Sequence, residues 1–291
     1  MTSNILVEAY IIAGSDIFKN LIELLWRITP IKQISKQAIF KINKKGIFIN
    51  INYQGLILTD VALSSSNFTL FNYNCENISE FNIGICLNPL KEFFSDVQKG
   101  KNVVFRVNKE EGQIIPSKVE ICITGDNCST SSKGYTINIS NEQNIEIIAS
   151  IDAEKLITTI TSNEFTSLCK CMGSKNHLVS IKSNDSSIVF SKSQIPGMDV
   201  SWLTFKANKE QVKQFSNHIK SEYIKNIIKL ASFNSKIQIF TSHDDGYIIF
   251  KSTITRNLPK KVVEPLGIIS IWIKTEPKQS CNLFLEDNIE Y

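Results

Sequence analysis

The residue types that could do bond chemistry are few in this chain, and none stands at a spacing that would let it act. His177, His218 and His243 lie in separate segments with no cysteine or carboxylate at ligand spacing. Cys169 and Cys171 are two apart on a helical stretch, hence about 200° apart around the axis, and cannot share an ion. Cys122 and Cys128 are better spaced, but no second pair completes a ligand set. Asp244 and Asp245 precede Gly246, and an Asp-Gly hairpin turn accounts for them. No glycine-rich phosphate loop occurs, and no cysteine has a base paired with it. The expectation is a protein that is not an enzyme and needs neither cofactor nor metal. A cysteine-dependent hydrolase on an unrelated α+β fold is the reading from the enzyme class, and selective thiol labelling that abolished an activity would revive it.

The residue type that recurs in pattern is basic. Lys19, Arg27, Lys91, Lys99, Lys101, Lys170, Lys175, Lys225 and Lys229 fall on or just beyond four amphipathic segments, on faces a core does not need. Long, mobile cations so placed contact phosphate and leave base edges alone, which gives sequence-independent, salt-sensitive attraction. The plainer reading of each lysine is a solvated face, since exposed lysine is the norm. Repetition on four helices favours phosphate; Glu23, Glu92 and Glu222, on or near the same surfaces, work against it.

Those segments are expected as helices over Ser15–Ile28, Leu87–Lys99, Ser162–Met172 and Ser221–Ala231, two in each half. In the first, Asp16, Lys19, Asn20, Glu23 and Arg27 share one arc, while Ile17, Phe18, Leu21, Leu24, Leu25 and Ile28 take the other. Ser15 is its expected N-cap and Pro30 its stop. Asn88 is the expected N-cap of the second, with Pro89 at the first helical position. Thr161 and Glu164 carry capping-box spacing for the third, and Gly173 closes it.

Around the helices lie β-runs at Ile5–Ile12, Ala38–Ile42, Gly46–Asn52, Leu56–Leu63, Phe68–Tyr73, Val103–Val107, Lys118–Thr124 and Gly134–Ile139. After a linker with the apolar centre Ile145-Glu146-Ile147-Ile148, runs follow at Lys155–Ile160, His177–Lys182, Ser187–Lys192, Val200–Phe205 and Ile268–Lys274. The expected organisation is a first domain over 1–139, a connector over 140–154 and a second domain over 155–291 with a short tail.

At 291 residues with 42% hydrophobic and 21% charged content, the chain can bury a sizeable core. The net charge of +4 is too small to prove an anionic partner. No apolar run reaches the roughly 18–20 residues of a membrane span. Glu8 interrupts the apolar start, which has no basic n-region and does not read as a secretory signal. Seven scattered cysteines read as reduced, buried thiols.

Laid out this way, the chain resembles the DNA sliding clamp family of proliferating cell nuclear antigen (PCNA). The resemblance rests on Glu8-Ala9 followed by Gly14-Ser15 and Lys19, and on Ser162-Asn163-Glu164-Phe165 with Cys169. Ser221-Glu222-Tyr223-Ile224-Lys225-Asn226 with Lys229-Leu230-Ala231, and Gly267 through Trp272 to Lys274, extend it in order over nearly the whole length. A longer C-terminal tail and a mildly basic balance depart from the family pattern. The Lys/Ile/Asn bias is that of an AT-rich genome, as in a virus or parasite.

The resemblance implies an α+β clamp architecture, two similar domains each with two helices packed on antiparallel sheets. It implies a homotrimeric ring around double-stranded DNA, closed by edge strands, that holds a DNA polymerase, is placed by a clamp loader and recruits replication and repair proteins without a membrane. The location implied is nuclear, or the replication site of a host cell if viral. It also implies a partner-peptide pocket of Tyr53, Gln54, Gly55 and Leu56, the linker residues Ile145, Ile147 and Ile148, and Trp272, Ile273 and Lys274. The linker residues could equally pack on the sheet. A subunit of a heteromeric checkpoint-type clamp and a non-ring viral processivity factor keep the fold and change the job.

Overall fold

The structure, a computed structural model, describes residues 5–29, 36–75, 78–110, 116–125, 131–138, 155–173, 177–184, 186–192, 201–207, 215–242, 246–258 and 262–277. It is α+β, with four α-helices and three antiparallel sheets among those residues. β1 (Ile5–Ile11) runs into α1 (Ser15–Ile28), followed by β2 (Gln37–Asn43), β3 (Gly46–Tyr53), β4 (Ile57–Ser64), β5 (Leu70–Tyr73) and β6 (Glu80–Cys86). Next come α2 (Leu87–Ser95), β7 (Asn102–Asn108), β8 (Lys118–Thr124) and β9 (Ser131–Asn138). The plan then restarts with β10 (Lys155–Thr161), α3 (Ser162–Met172), β11 (Leu178–Ser183), β12 (Ser187–Lys192), β13 (Trp202–Lys206) and β14 (Phe215–Lys220). It closes with α4 (Ser221–Asn226), β15 (Lys236–Thr241), β16 (Tyr247–Leu258), β17 (Val262–Lys274) and the two-residue β18 (Glu276–Pro277).

The described residues fall into two compact units: those within 1–51, 59–147 and 253–269, and those within 52–58, 148–252 and 270–291. The first unit holds a sheet of order β5-β1-β7-β8-β9, the second a sheet of order β13-β12-β11-β14-β18. The third sheet has the order β10-β15-β16-β17-β4-β3-β2-β6. No described helix is long and apolar enough to cross a membrane.

In the first unit the period of α1 buries Ile17, Phe18, Leu21, Ile22, Leu24, Leu25 and Ile28. Phe18 stacks on Phe94 of α2 at 6.1 Å, and Phe40 of β2 on Phe105 of β7 at 6.2 Å. In the second unit Phe165 of α3 meets Phe250 of β16 at 5.6 Å. The expected capping box is present: Glu164 N donates to Thr161 Oγ1 and Thr161 N to Glu164 Oε2. Gly173 ends α3 where a Cβ would stand 2.4 Å from Cys169 O and 2.8 Å from Lys225 Cβ. Glycine is what lets α3 and α4 approach there.

Several expected boundaries are corrected. Ser15 is not the cap of α1; Gly14 holds that position, and Ser15 Oγ donates to Gln98 O while accepting from Lys101 N. Those bonds, with Gly100 N donating to Asp16 Oδ2, draw residues 98–101 away from a helical path, so α2 stops at Ser95 and does not reach Lys99. Cys86, not Asn88, is the cap residue of α2. The fourth helix ends at Asn226 and tightens into a 3-10 turn over Ile228–Ser232, with Leu230 N bonded to Ile227 O. β6 and β14 were not expected, and β17 begins at Val262, ahead of the expected Ile268.

Candidate nucleic-acid interface

On the first unit, three of the five expected cations are engaged within the chain. Lys19 Nζ donates to Ser95 O at 2.5 Å, satisfying a carbonyl at the end of α2. Arg27 grips Glu23 one turn back through Nε at 3.1 Å and Nη2 at 2.7 Å. Lys91 Nζ sits 3.2 Å from the centre of the Trp26 ring. Beyond the end of α2, Lys99 is exposed and Lys101 half-buried, and neither has a side-chain partner among the described residues.

On the second unit two of the expected lysines are open. Lys170 on α3 and Lys225 on α4 are exposed, with no hydrogen bond or ion pair from either ammonium group among the described residues. The close approach of Gly173 to Lys225 brings the end of α3, which carries Lys170, beside α4. Lys229, on the 3-10 turn, is half-buried. Lys175 lies outside the described residues. Of the opposing carboxylates, Glu23 is spent on Arg27, while Glu92 and Glu222 are exposed; Glu164 is engaged in its capping box, where the bonds from Thr161 hold its carboxyl below the usual range.

Sequence reasoning passed over Trp26, Lys36 and Lys133. Trp26 Nε1 donates to Asn88 Oδ1 at 2.7 Å, and Lys36 is a second cation on the same ring. Lys133 Nζ donates to Phe93 O at 2.9 Å and lies 3.8 Å from Asp96. A tryptophan on the polar flank of an amphipathic helix was the available signal for the first two.

The residues expected to receive a partner peptide come together in part. Tyr53-Gln54-Gly55-Leu56 forms a tight turn in which Gln54 (φ 49°) and Gly55 (φ 68°) are both left-handed. Leu56 N donates to Tyr53 O at 2.7 Å. Lys274 N donates to Leu56 O at 2.8 Å, and Tyr247 Oη to Gly55 O at 3.0 Å, so the turn is tied to the end of β17 within the second unit. Ile273 is buried, Lys274 exposed and Trp272 half-buried, its Nε1 buried without an acceptor among the described residues. Burial, with Glu222, Tyr53 and Glu276 nearby, pushes the Tyr223 hydroxyl up to about 12. Ile145, Ile147 and Ile148 lie outside the described residues.

Among the described residues no cluster of histidine, cysteine and carboxylate could hold a metal ion. Burial, with Glu120 beside it, raises the Cys122 thiol to about 11, and burial raises that of Cys169 further, so neither is a thiolate at neutral pH.

No protein-family model matches the chain. It is 37% identical over 292 residues to the uncharacterized protein 436R of Invertebrate iridescent virus 6, covering 94% of both chains. The chain belongs to the 436R family. The uncharacterized protein 060L of Invertebrate iridescent virus 3 is 25% identical over 260 residues, 87% of this chain and 83% of that protein. Among solved structures, the proliferating cellular nuclear antigen of Entamoeba histolytica superposes with a TM-score of 0.71, covering 94% of this chain and 99% of that one at 13% sequence identity. This member of the 436R family therefore has the PCNA clamp fold.

Proposed function

We propose that the chain is a DNA sliding clamp, a polymerase processivity factor that encircles duplex DNA and catalyses nothing itself. The observation that carries this reading is the clamp fold over nearly the full length of the chain. Residues 1–139 and 155–291 would be its two clamp domains and 140–154 their connector. Strand edges support a ring: among the described residues β9 ends one sheet and β13 another, and β13 carries Trp202 at 65% exposed. Unpaired edges invite pairing with a second copy, and head-to-tail pairing that closes gives a cyclic homo-oligomer, here a homotrimer.

Lys170, Lys225 and Lys229, with Lys175, Lys99 and Lys101, would attract phosphate in any sequence, leaving Lys19, Arg27 and Lys91 as secondary contacts. Partners such as a polymerase and repair proteins would dock on the Tyr53–Leu56 turn and Trp272–Lys274, with Ile145, Ile147 and Ile148. A clamp loader would open the ring, and the protein would work in the nucleus or at a viral replication site.

Light scattering over a range of concentrations tests the ring. A stable species of three times the 32.9 kDa chain mass supports it. A persistent monomer would contradict self-closure and favour a heteromeric checkpoint-type subunit or a non-ring processivity factor.

A further inference from the structure

β18 fixes the point from which residues 278–291 leave the second unit. Glu276 and Pro277 pair with His218 and Asn217 of β14. Thr275, just before them, is held twice: its N–H donates to Gly246 O at 2.9 Å, and its Oγ1 accepts from Asn217 Nδ2 at 2.9 Å. That exit lies beside the Tyr53–Leu56 turn. Lys274 N is bonded to Leu56 O, and the Tyr223 hydroxyl feels both Tyr53 and Glu276. All of these residues belong to the second unit. Two groups here are unmet among the described residues. Trp272 Nε1 is buried with no acceptor, and a buried donor left unpaired is costly. The ammonium group of Lys274 is exposed, with no carboxylate at ion-pair distance.

The sequence that leaves from this point carries matching chemistry. After Lys278-Gln279-Ser280-Cys281-Asn282 come three large apolar residues, Leu283-Phe284-Leu285, and then Glu286 and Asp287. Adjacent apolar side chains gain by leaving water, and the carbonyls between them are acceptors. The six residues from Pro277 to Leu283 can span about 20 Å, against at most about 11 Å for the three from Lys274 to Pro277. The apolar run can therefore fold back on to the turn. A tether this short gives a local concentration of roughly millimolar, so a contact of millimolar dissociation constant already fills the surface about half the time. Glu222 and Glu276, near Tyr223, repel the acidic pair from that side and leave Lys274 as its match.

We propose that Leu283-Phe284-Leu285 folds back against the Tyr53–Leu56 turn and Trp272, with Glu286 and Asp287 towards Lys274. The segment is then a tethered occupant of the surface offered above to partner proteins, and a polymerase docking there must displace it. That regulatory consequence rests on the partner reading; the contact itself does not.

The test uses the full chain with Trp26→Phe and Trp202→Phe, so that Trp272 is the sole tryptophan, and reads its quenching by acrylamide. Leu283→Ser, Phe284→Ser and Leu285→Ser together should raise the quenching constant about twofold, the loss of an occupant present at least half the time. The unfolding midpoint should stay unchanged. A synthetic peptide of residues 278–291 at ~1 mM should then restore protection. Lys274→Glu should weaken the peptide about threefold, the scale of one exposed ion pair. If the three substitutions leave quenching unchanged and the peptide protects nothing, the inference is overturned while the partner surface stands. If Ile145→Ser, Ile147→Ser and Ile148→Ser expose Trp272 and the substitutions after Pro277 do not, the connector is the cover and the fold-back is wrong. Protection that falls on dilution would put a second copy's segment on the surface and overturn the fold-back as well. If the peptide protects Trp272 but no DNA polymerase binds the chain with or without the substitutions, the contact holds and the partner reading fails.

Discussion

The two units carry the same plan and spend their cations differently. In the first, Lys19, Arg27 and Lys91 are held by a helix-end carbonyl, a carboxylate and an indole ring. In the second, Lys170 and Lys225 stand free, among the described residues, on helices that a glycine brings together. A free exposed ammonium group loses little on meeting phosphate, whereas a tethered one must first give up its partner, and exposed ion pairs are worth only about 0.2–1 kcal/mol. The difference teaches that counting basic residues on helices overstates an electrostatic surface: what each cation already touches decides how much charge is available.

Alkali should have the largest effect and should not separate the units. Tyr73 in the first and Tyr223 in the second are both raised to about 12, and Cys122 to about 11. A raised folded-state pKa means that the folded chain holds the proton more tightly. Stability is therefore full below the ordinary thiol and phenol range and is lost as pH rises through about 12. Denaturant melts at increasing pH should show one falling curve; loss of the first unit alone would break the symmetry.

Gly173→Ala should act on the second unit, because its Cβ would meet Cys169 O and Lys225 Cβ. A cost of about 2–3 kcal/mol is expected in denaturant unfolding, with weaker duplex binding as α3 and α4 part. Lys170→Ala with Lys225→Ala should lower duplex affinity about tenfold and the salt slope by nearly 2, whereas Lys19→Ala with Arg27→Ala should cost about threefold. Equal losses from the two pairs, read by fluorescence anisotropy, would erase the comparison. The smallest effect sharpens it: Glu23→Gln frees Arg27 and should raise duplex affinity about twofold.

Much of the scaffold is legible from local pattern. α1 and α3 follow from apolar period, and the Thr161–Glu164 cap from spacing, because their causes lie within a turn or two of chain. The end of α2 is not, since it is set by Ser15 and Asp16, more than eighty residues away. β14 is obscured by Ser216, Asn217 and His218, polar residues at positions where strands are usually read from apolar alternation. At the candidate interface, the positions of the lysines are visible in sequence but their commitments are not. Trp26 meeting Asn88, and Lys19 meeting Ser95, are long-range pairings that no periodicity encodes.

The most direct test of encirclement is the lifetime of the protein on a linear duplex at moderate salt, measured with both ends open and with both ends blocked by a bulky protein after loading. A ring leaves by sliding off an end, so blocking is predicted to lengthen the lifetime at least tenfold, with little effect of duplex sequence. Equal lifetimes on open and blocked duplexes would contradict encirclement and leave a protein that holds DNA by charge alone.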